Sequence, residues 1–214
     1  MKTLTSLLVA VLLPHLASAI DLNAIPENNP DALAAALKAE GGSVSGEPII
    51  SNDTGPDGKP TKLLVFPTPD CFVSIPVSSA KANQWRMTAS IRIDSLPYTK
   101  AGGAMFGLFS GNDGVLTISA NKWSKTRSPV LVCGSNFLIS EEEFRASGAM
   151  ETGDWRKISL AIIGTDWTLS IGDSFNQSGA VEKDERGVLA RKGPFFMRIG
   201  CFVGASTFPD LSQD

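Results

Sequence analysis

Histidine and tyrosine are almost missing from this sequence: His15 and Tyr98 are the single examples in 214 residues. There is no run of basic side chains and no C-x-x-C pair. Residues 1–19 have the order of a secretory signal, with Lys2, the apolar run Leu7 to Leu13, and the small-residue exit Ala17-Ser18-Ala19. Cleavage after Ala19 leaves 195 of the 214 residues, with 18 basic and 22 acidic groups and no imidazole. Ser-His-Asp and Cys-His catalysis, histidine-ligated zinc and imidazole acid–base steps are thereby excluded, because no other side chain titrates unperturbed near neutrality. A mildly acidic chain without a basic tract offers no phosphate-tracking surface, so nucleic acid is not expected as a partner. No stretch after the leader approaches the roughly 20 apolar residues that a transmembrane helix needs, and Ile20 stands where a lipoprotein would carry cysteine. The expected product is secreted and extracellular, or periplasmic in a bacterium.

Export makes the cysteines a redox question. Cys71, Cys133 and Cys201 are odd in number, so at most one internal bridge forms, by any of three pairings. All three sit in apolar runs (CFVSIP, VLVC, IGCFV), and the plain expectation is buried thiols carried on strands.

A content of 43% hydrophobic and 19% charged residues describes a chain that can bury a core. Residues 20–61 are rich in proline and glycine and read mostly as loop. Within them, Asn29-Pro30-Asp31, ALAAALKAE and Gly41-Gly42 give cap, first-turn proline, early acid and glycine stop in order. A short helix from about Pro30 to Glu40 is predicted, and its alanine content suits packing on an edge. From Lys62 the period changes to two. In RMTASIRID, residues 86–94, Met87, Ala89, Ile91 and Ile93 share one face, and Arg86, Thr88, Ser90, Arg92 and Asp94 the other. Strands are also predicted at 63–66, 72–77, 104–110, 115–123, 129–133, 156–164, 167–171 and 195–203, with hairpin turns at Gly111-Asn112-Asp113-Gly114 and Gly164-Thr165-Asp166. The pattern predicts an all-β fold, a two-sheet antiparallel sandwich or jelly roll with a short N-terminal helix.

Three stretches resemble the concanavalin A-like lectin/glucanase superfamily, specifically its laminin G-like secreted modules: LVFPTPDCFVSIPVSS leading into WRMTASIRID, GDWRKISLAIIGTDWTLSIGDS, and FFMRIGCFVGASTFPDL. The resemblance covers residues 62–214, which implies one sandwich domain preceded by the signal (1–19) and the Pro/Gly-rich segment (20–61). The family continues past its last loop with an f-x-G-x-i-d-e-v strand, whereas this chain runs to Asp214 after TFPDLSQD. The superfamily includes lectins, adhesion modules and glycosidases, so fold alone does not choose among them.

Glycoside hydrolysis requires two carboxyl groups about 5 to 9 Å apart across the scissile bond. The E-x-D-x-x-E strand of the glucanase branch is missing here, and Glu141-Glu142-Glu143, being consecutive, point in different directions and read as a solvated turn. No catalytic residue is assigned. Strand parity instead picks out candidate ligand contacts. In VLTISANKW, Trp123 falls on the polar face with Thr117, Ser119 and Asn121, and it runs into a small basic cluster, Lys122, Lys125 and Arg127. Trp123, Asn121, Lys125 and Arg127 form the first candidate site, for an acidic polysaccharide. The competing reading is that a bulge turns Trp123 inward. Thr88, Ser90 and Arg92 form the second surface, where the plain alternative is a wet strand face with Arg92 paired to Asp94 or a neighbour. Trp85 is expected to anchor its strand, and Trp155 and Trp167 to pack as core or as a cross-strand pair.

Asp113, Asp166 and Asp173 lie in turns, but a calcium ion needs six to eight converging oxygens. No metal and no cofactor is assigned, and calcium is left open. Asn52-Asp53-Thr54 and Asn176-Gln177-Ser178 are glycosylation sequons in a eukaryotic secretory path. The expected function is non-catalytic, lectin-like recognition of an extracellular glycan or protein. The alternatives are a glycoside hydrolase with an unrecognised carboxylate pair and a structural accessory domain.

Overall fold

In the computed structural model, residues 7–10, 22–68, 71–77, 81–93, 103–120, 129–149, 153–184 and 186–202 are described. They form fourteen strands: β1 Leu7–Ala10, β2 Ser43–Ser45, β3 Ile49–Thr54, β4 Pro60–Phe66, β5 Phe72–Val77, β6 Gln84–Ile93, β7 Gly103–Ser110, β8 Asp113–Ala120, β9 Pro129–Cys133, β10 Asn136–Ile139, β11 Trp155–Ile163, β12 Asp166–Ile171, β13 Phe175–Ala180 and β14 Phe195–Phe202. Two helices accompany them, α1 Pro30–Ala39 and α2 Glu141–Ser147, with a single 3-10 turn at Leu22–Ala24. The fold is all-β with a short N-terminal helix.

Every pairing is antiparallel, and the strands make two seven-membered sheets. The first sheet has the order β13-β12-β11-β6-β1-β4-β3 and the second β10-β9-β8-β7-β14-β5-β2. Alternation sends one set of side chains from each sheet into a single core: Ile91, Leu160 and Leu169 from the first, Phe106, Ile118 and Met197 from the second. Each such side chain contributes about 1.5–3 kcal/mol relative to exposure.

The sides between the sheets are closed by the helices. α1 packs on β2 and β3, the last strands of the two sheets, and drives Leu33 and Leu37 into the core. The alanine-rich helix therefore sits on an edge, as its composition suggests, while its two leucines complete the interior. Asn29 Oδ1 caps it by accepting from the Ala32 amide at 3.0 Å. On the other side α2 contacts β9, and its Phe144 ring stacks on Phe175 of β13 with centroids 5.4 Å apart. The acidic triplet expected as a turn is the first turn of this helix. Ser140 and Glu143 form a reciprocal capping box, and Phe144 is fully buried. The Ser140 backbone N–H and then its hydroxyl hold the Glu143 carboxyl below its ordinary pKa.

The stretch 20–61, expected to be mostly loop, supplies β2 and β3, the edge strands beside α1. The apolar run of the expected leader supplies β1, inside the first sheet. Trp85 anchors β6 as expected, its indole N–H donating to the Ala82 carbonyl at 2.7 Å. Trp167 is core, opposite Ile162. Trp155 instead pairs across from Arg92 and lies outside the main core.

Gly200 lies at a register shift in the β14–β7 pairing and has φ +118°. A methyl group there would run into the Cys71 carbonyl and stand 2.7 Å from Phe72 Cα. Gly200→Ala is expected to lower the unfolding free energy by about 2–4 kcal/mol in urea titration. Gly172→Ala, at φ +57° with no atom within 4 Å, should cost about 1–2 kcal/mol.

Cys71 and Cys133 are buried and form no disulfide with each other; Cys133 ends β9 as expected, whereas Cys71 stands just ahead of β5. Burial, followed by the charge of Asp184, pushes the Cys133 thiol from 9.0 up to about 12. Its folded-state value is raised, so its contribution to stability is whole below about pH 9 and is lost as pH climbs toward 12. Denaturation midpoints recorded across that range should fall less steeply in Cys133→Ala than in the parent chain.

Candidate functional site

The outer surface of the first sheet is set by parity in its strands. Met87, Ala89, Ile91 and Ile93 of β6 are buried, as expected, which turns Arg86, Thr88, Ser90 and Arg92 outward. In β11, Ile158, Leu160 and Ile162 are buried, and in β12, Trp167, Leu169 and Ile171 are. The register then aligns outward residues across four strands. Thr88 faces Ser159, Ser159 faces Ser170, and Ser170 faces Asn176. The row beside it runs Arg86, Ala161, Thr168, Ser178. With strands about 4.8 Å apart, each row spans about 14 Å.

Arg86, Ser159, Thr168, Ser170, Asn176 and Ser178 of these rows line a shallow groove of about 400 Å³, while Thr88 lies beside it and Ala161 is buried. Thr88 and Ser159 share one long hydroxyl contact of 3.4 Å. The groove is a sheet surface with hydroxyl and amide groups at fixed intervals and one cation at its end. It can donate and accept several hydrogen bonds along a line, which suits a ligand rich in hydroxyls.

Arg92 lies on the same outward face but is engaged by the fold. Its guanidinium donates to Asp53 of β3 at 2.8 Å and lies 5.5 Å from the Trp155 ring centroid. The Trp155 indole N–H donates to the Thr54 carbonyl at 3.0 Å, and its ring packs on Leu63 and Val65. The Thr54 amide, and next Arg92, hold the Asp53 carboxyl below the usual range. Arg92 thus ties the β3–β4 hairpin to β6 and β11. Its partner is Asp53, 39 residues away, while Asp94 lies outside the described residues.

No protein-family model matches the chain, and no curated protein matches it.

The other candidate residues, Asn121, Trp123, Lys125 and Arg127, lie outside the described residues. The strand leading to them, β8, has the expected parity: Leu116 and Ile118 point into the core, and Thr117 and Ser119 point away from it. Those two hydroxyls are nevertheless buried and bonded to each other at 3.0 Å.

Sequence reasoning missed Arg198. It is the one charged residue in FFMRIGCFV and falls on the parity opposite the core residues Met197 and Ile199. Its Nε donates to the Ser74 hydroxyl at 2.9 Å and its Nη2 to the Gly111 carbonyl at 2.8 Å. The rings of Phe109 and Phe72 lie 4.7 and 5.5 Å from the guanidinium carbon. Burial lowers its pKa. A cation held this way braces the β7–β8 turn against β14 and β5.

Among the carboxylates, Asp113 pairs with Arg191 at 2.5 Å. Glu141 and Glu142 stand in the first turn of α2. No group of three or more His, Cys, Asp or Glu side chains comes together at metal-binding distance among the described residues.

The Arg92 tie is measurable. Arg92→Ala and Asp53→Ala should each lower stability by about 1 kcal/mol, and the double variant should lose less than the sum of the two, read from chemical denaturation.

Proposed function

We propose that the chain is a secreted, non-catalytic binding module that takes carbohydrate on the outer face of β6, β11, β12 and β13. The sandwich is read as concanavalin A-like, of laminin G-like type, with residues 1–19 as its export signal. The observation that carries this reading is the aligned row Thr88, Ser159, Ser170, Asn176, with Thr168 and Ser178 beside it. Strands rather than loops hold these groups, so little conformational freedom is lost when a ligand engages them.

None of the residues lining the groove is aromatic. Binding there rests on hydrogen bonds, each contributing about 0.5–1.5 kcal/mol net. Four or five of them give about 2–7 kcal/mol before the cost of association, which corresponds to weak binding of a short oligosaccharide, with a Kd on the order of millimolar. Repetition along a polymer, or several copies of the module, would raise the avidity without new contacts.

The groove contains its own reporter. Asn176 of the sequon Asn176-Gln177-Ser178 lies in the row, whereas Asn52 of the other sequon is on β3 at the far edge of the sheet. A glycan array probed with protein made without glycosylation should give hits that hydrolysis assays find intact. Those hits should weaken about tenfold in Ser170→Ala/Thr168→Ala, and vanish in protein carrying a glycan at Asn176. A glycan at Asn52 should leave them unchanged. Hits that survive the Asn176 glycan would remove the groove from consideration, and cleavage of the hits would replace binding with hydrolysis.

A further inference from the structure

The first sheet contains a conflict. Its fifth strand, β1, comes from the segment that reads as a removable leader, and it pairs on both sides: Leu7, Leu8 and Val9 with Phe66, Val65 and Leu64 of β4, and Leu7 to Ala10 with Ile93 to Ser90 of β6. Cleavage after Ala19 would withdraw a strand from the interior of a sheet. Both flanks would then present unpaired backbone groups, which cost free energy when they are kept from water. Leu64, Phe66, Ile91 and Ile93, now between 2% and 4% exposed, would line a trough one strand wide.

Direct pairing of β4 with β6 would need a shift of one strand spacing, about 4.8 Å. Two ties that do not involve β1 already fix the flanks to each other: Arg92 of β6 to Asp53 of the β3–β4 hairpin, and Trp155 of β11 to the Thr54 carbonyl. The main core continues beneath the trough through the same four residues. In a chain without β1 these ties would keep the flanks one strand width apart.

We propose that in the leader-free protein the β4–β6 gap is a binding site for an extended peptide strand of a partner. The strand runs antiparallel to both flanks, and it is apolar at the two alternate positions opposite Phe66/Ile93 and Leu64/Ile91. This rests on the secretion reading, and it adds a protein ligand at a place separate from the carbohydrate groove. The recognition is strand addition, with backbone hydrogen bonds on two sides supplying affinity and the two inward positions supplying selectivity. In the full chain Leu7 stands opposite Phe66 and Ile93, and Val9 opposite Leu64 and Ile91.

The test starts from the folded full chain with a protease site inserted between Ala19 and Ile20, so that the gap opens only after folding. Hydrogen exchange is followed at Leu64–Phe66 and Ser90–Ile93 after cleavage. A labelled synthetic peptide of residues 4–13 should displace the cleaved fragment. Removing the fragment should speed exchange of the gap-facing amides by at least roughly tenfold. An unrelated peptide of alternating valine and threonine should restore protection, and one with aspartate at both inward positions should not. In the uncleaved chain, Leu7→Asp/Val9→Asp should loosen the same amides and Ala10→Asp, opposite the half-buried Ser90, should leave them protected. Persistent protection after the fragment is gone, equal rescue by the aspartate peptide, equal loosening by Leu7→Asp/Val9→Asp and by Ala10→Asp, or a dimer that takes no peptide would each overturn the proposal. N-terminal sequencing of exported protein reads the secretion step separately: an intact leader there ends the export reading, while the strand site is still judged on the engineered cut.

Discussion

Nine consecutive residue pairs join Trp155–Ile163 of β11 to Arg92–Gln84 of β6. That register is the constraint on which the rest of the first sheet depends. A slip of one residue would send Met87, Ala89, Ile91 and Ile93 to solvent and bring Arg86, Thr88, Ser90 and Arg92 inside. With the slip excluded by the apolar set, the polar set has no freedom of its own. Its alignment into rows across β11, β12 and β13 is a by-product of burying the other face. The same logic fixes Trp155 opposite Arg92 and so makes their stacking possible.

The parts of the fold that were legible in the sequence are continuous apolar runs bounded by turn residues and segments where burial writes a two-residue period. β5 and β9 begin and end where their apolar runs do, and β6 has the parity expected of it. β2 and β13 carry no such pattern, being three residues long in one case and exposed from Asn176 onward in the other. These strands exist because a neighbour offers them hydrogen bonds, which is information held elsewhere in the chain. α2 was legible in principle: Ser140 followed three residues later by Glu143, with Phe144 next, is a capping-box signature. Three adjacent acids drew attention to charge and away from the cap.

The candidate site divides along the same line. That Arg86, Thr88, Ser90 and Arg92 share an outward face follows from local periodicity. That Arg92 is taken up by Asp53 and Trp155 does not, because those contacts join residues 39 and 63 positions apart. Arg198 and Ser74 are separated by 124 residues, and no local pattern marks a buried guanidinium between two phenylalanine rings. Long-range polar partners are set by topology, and topology is the last thing a single sequence discloses.

The placement of α1 bears on more than packing. Each sheet ends in a strand with one row of backbone donors and acceptors turned outward, and such rows recruit other chains into intermolecular β-structure. At one side of the molecule those two ends are β2 and β3, and the same ten-residue helix lies against both. Fraying of α1 from its Asn29 cap would bare both rows together, along with the Leu33 and Leu37 sockets. At this side of the molecule, an N-terminal cap and two leucines therefore decide whether two sheet edges are covered or bared at once.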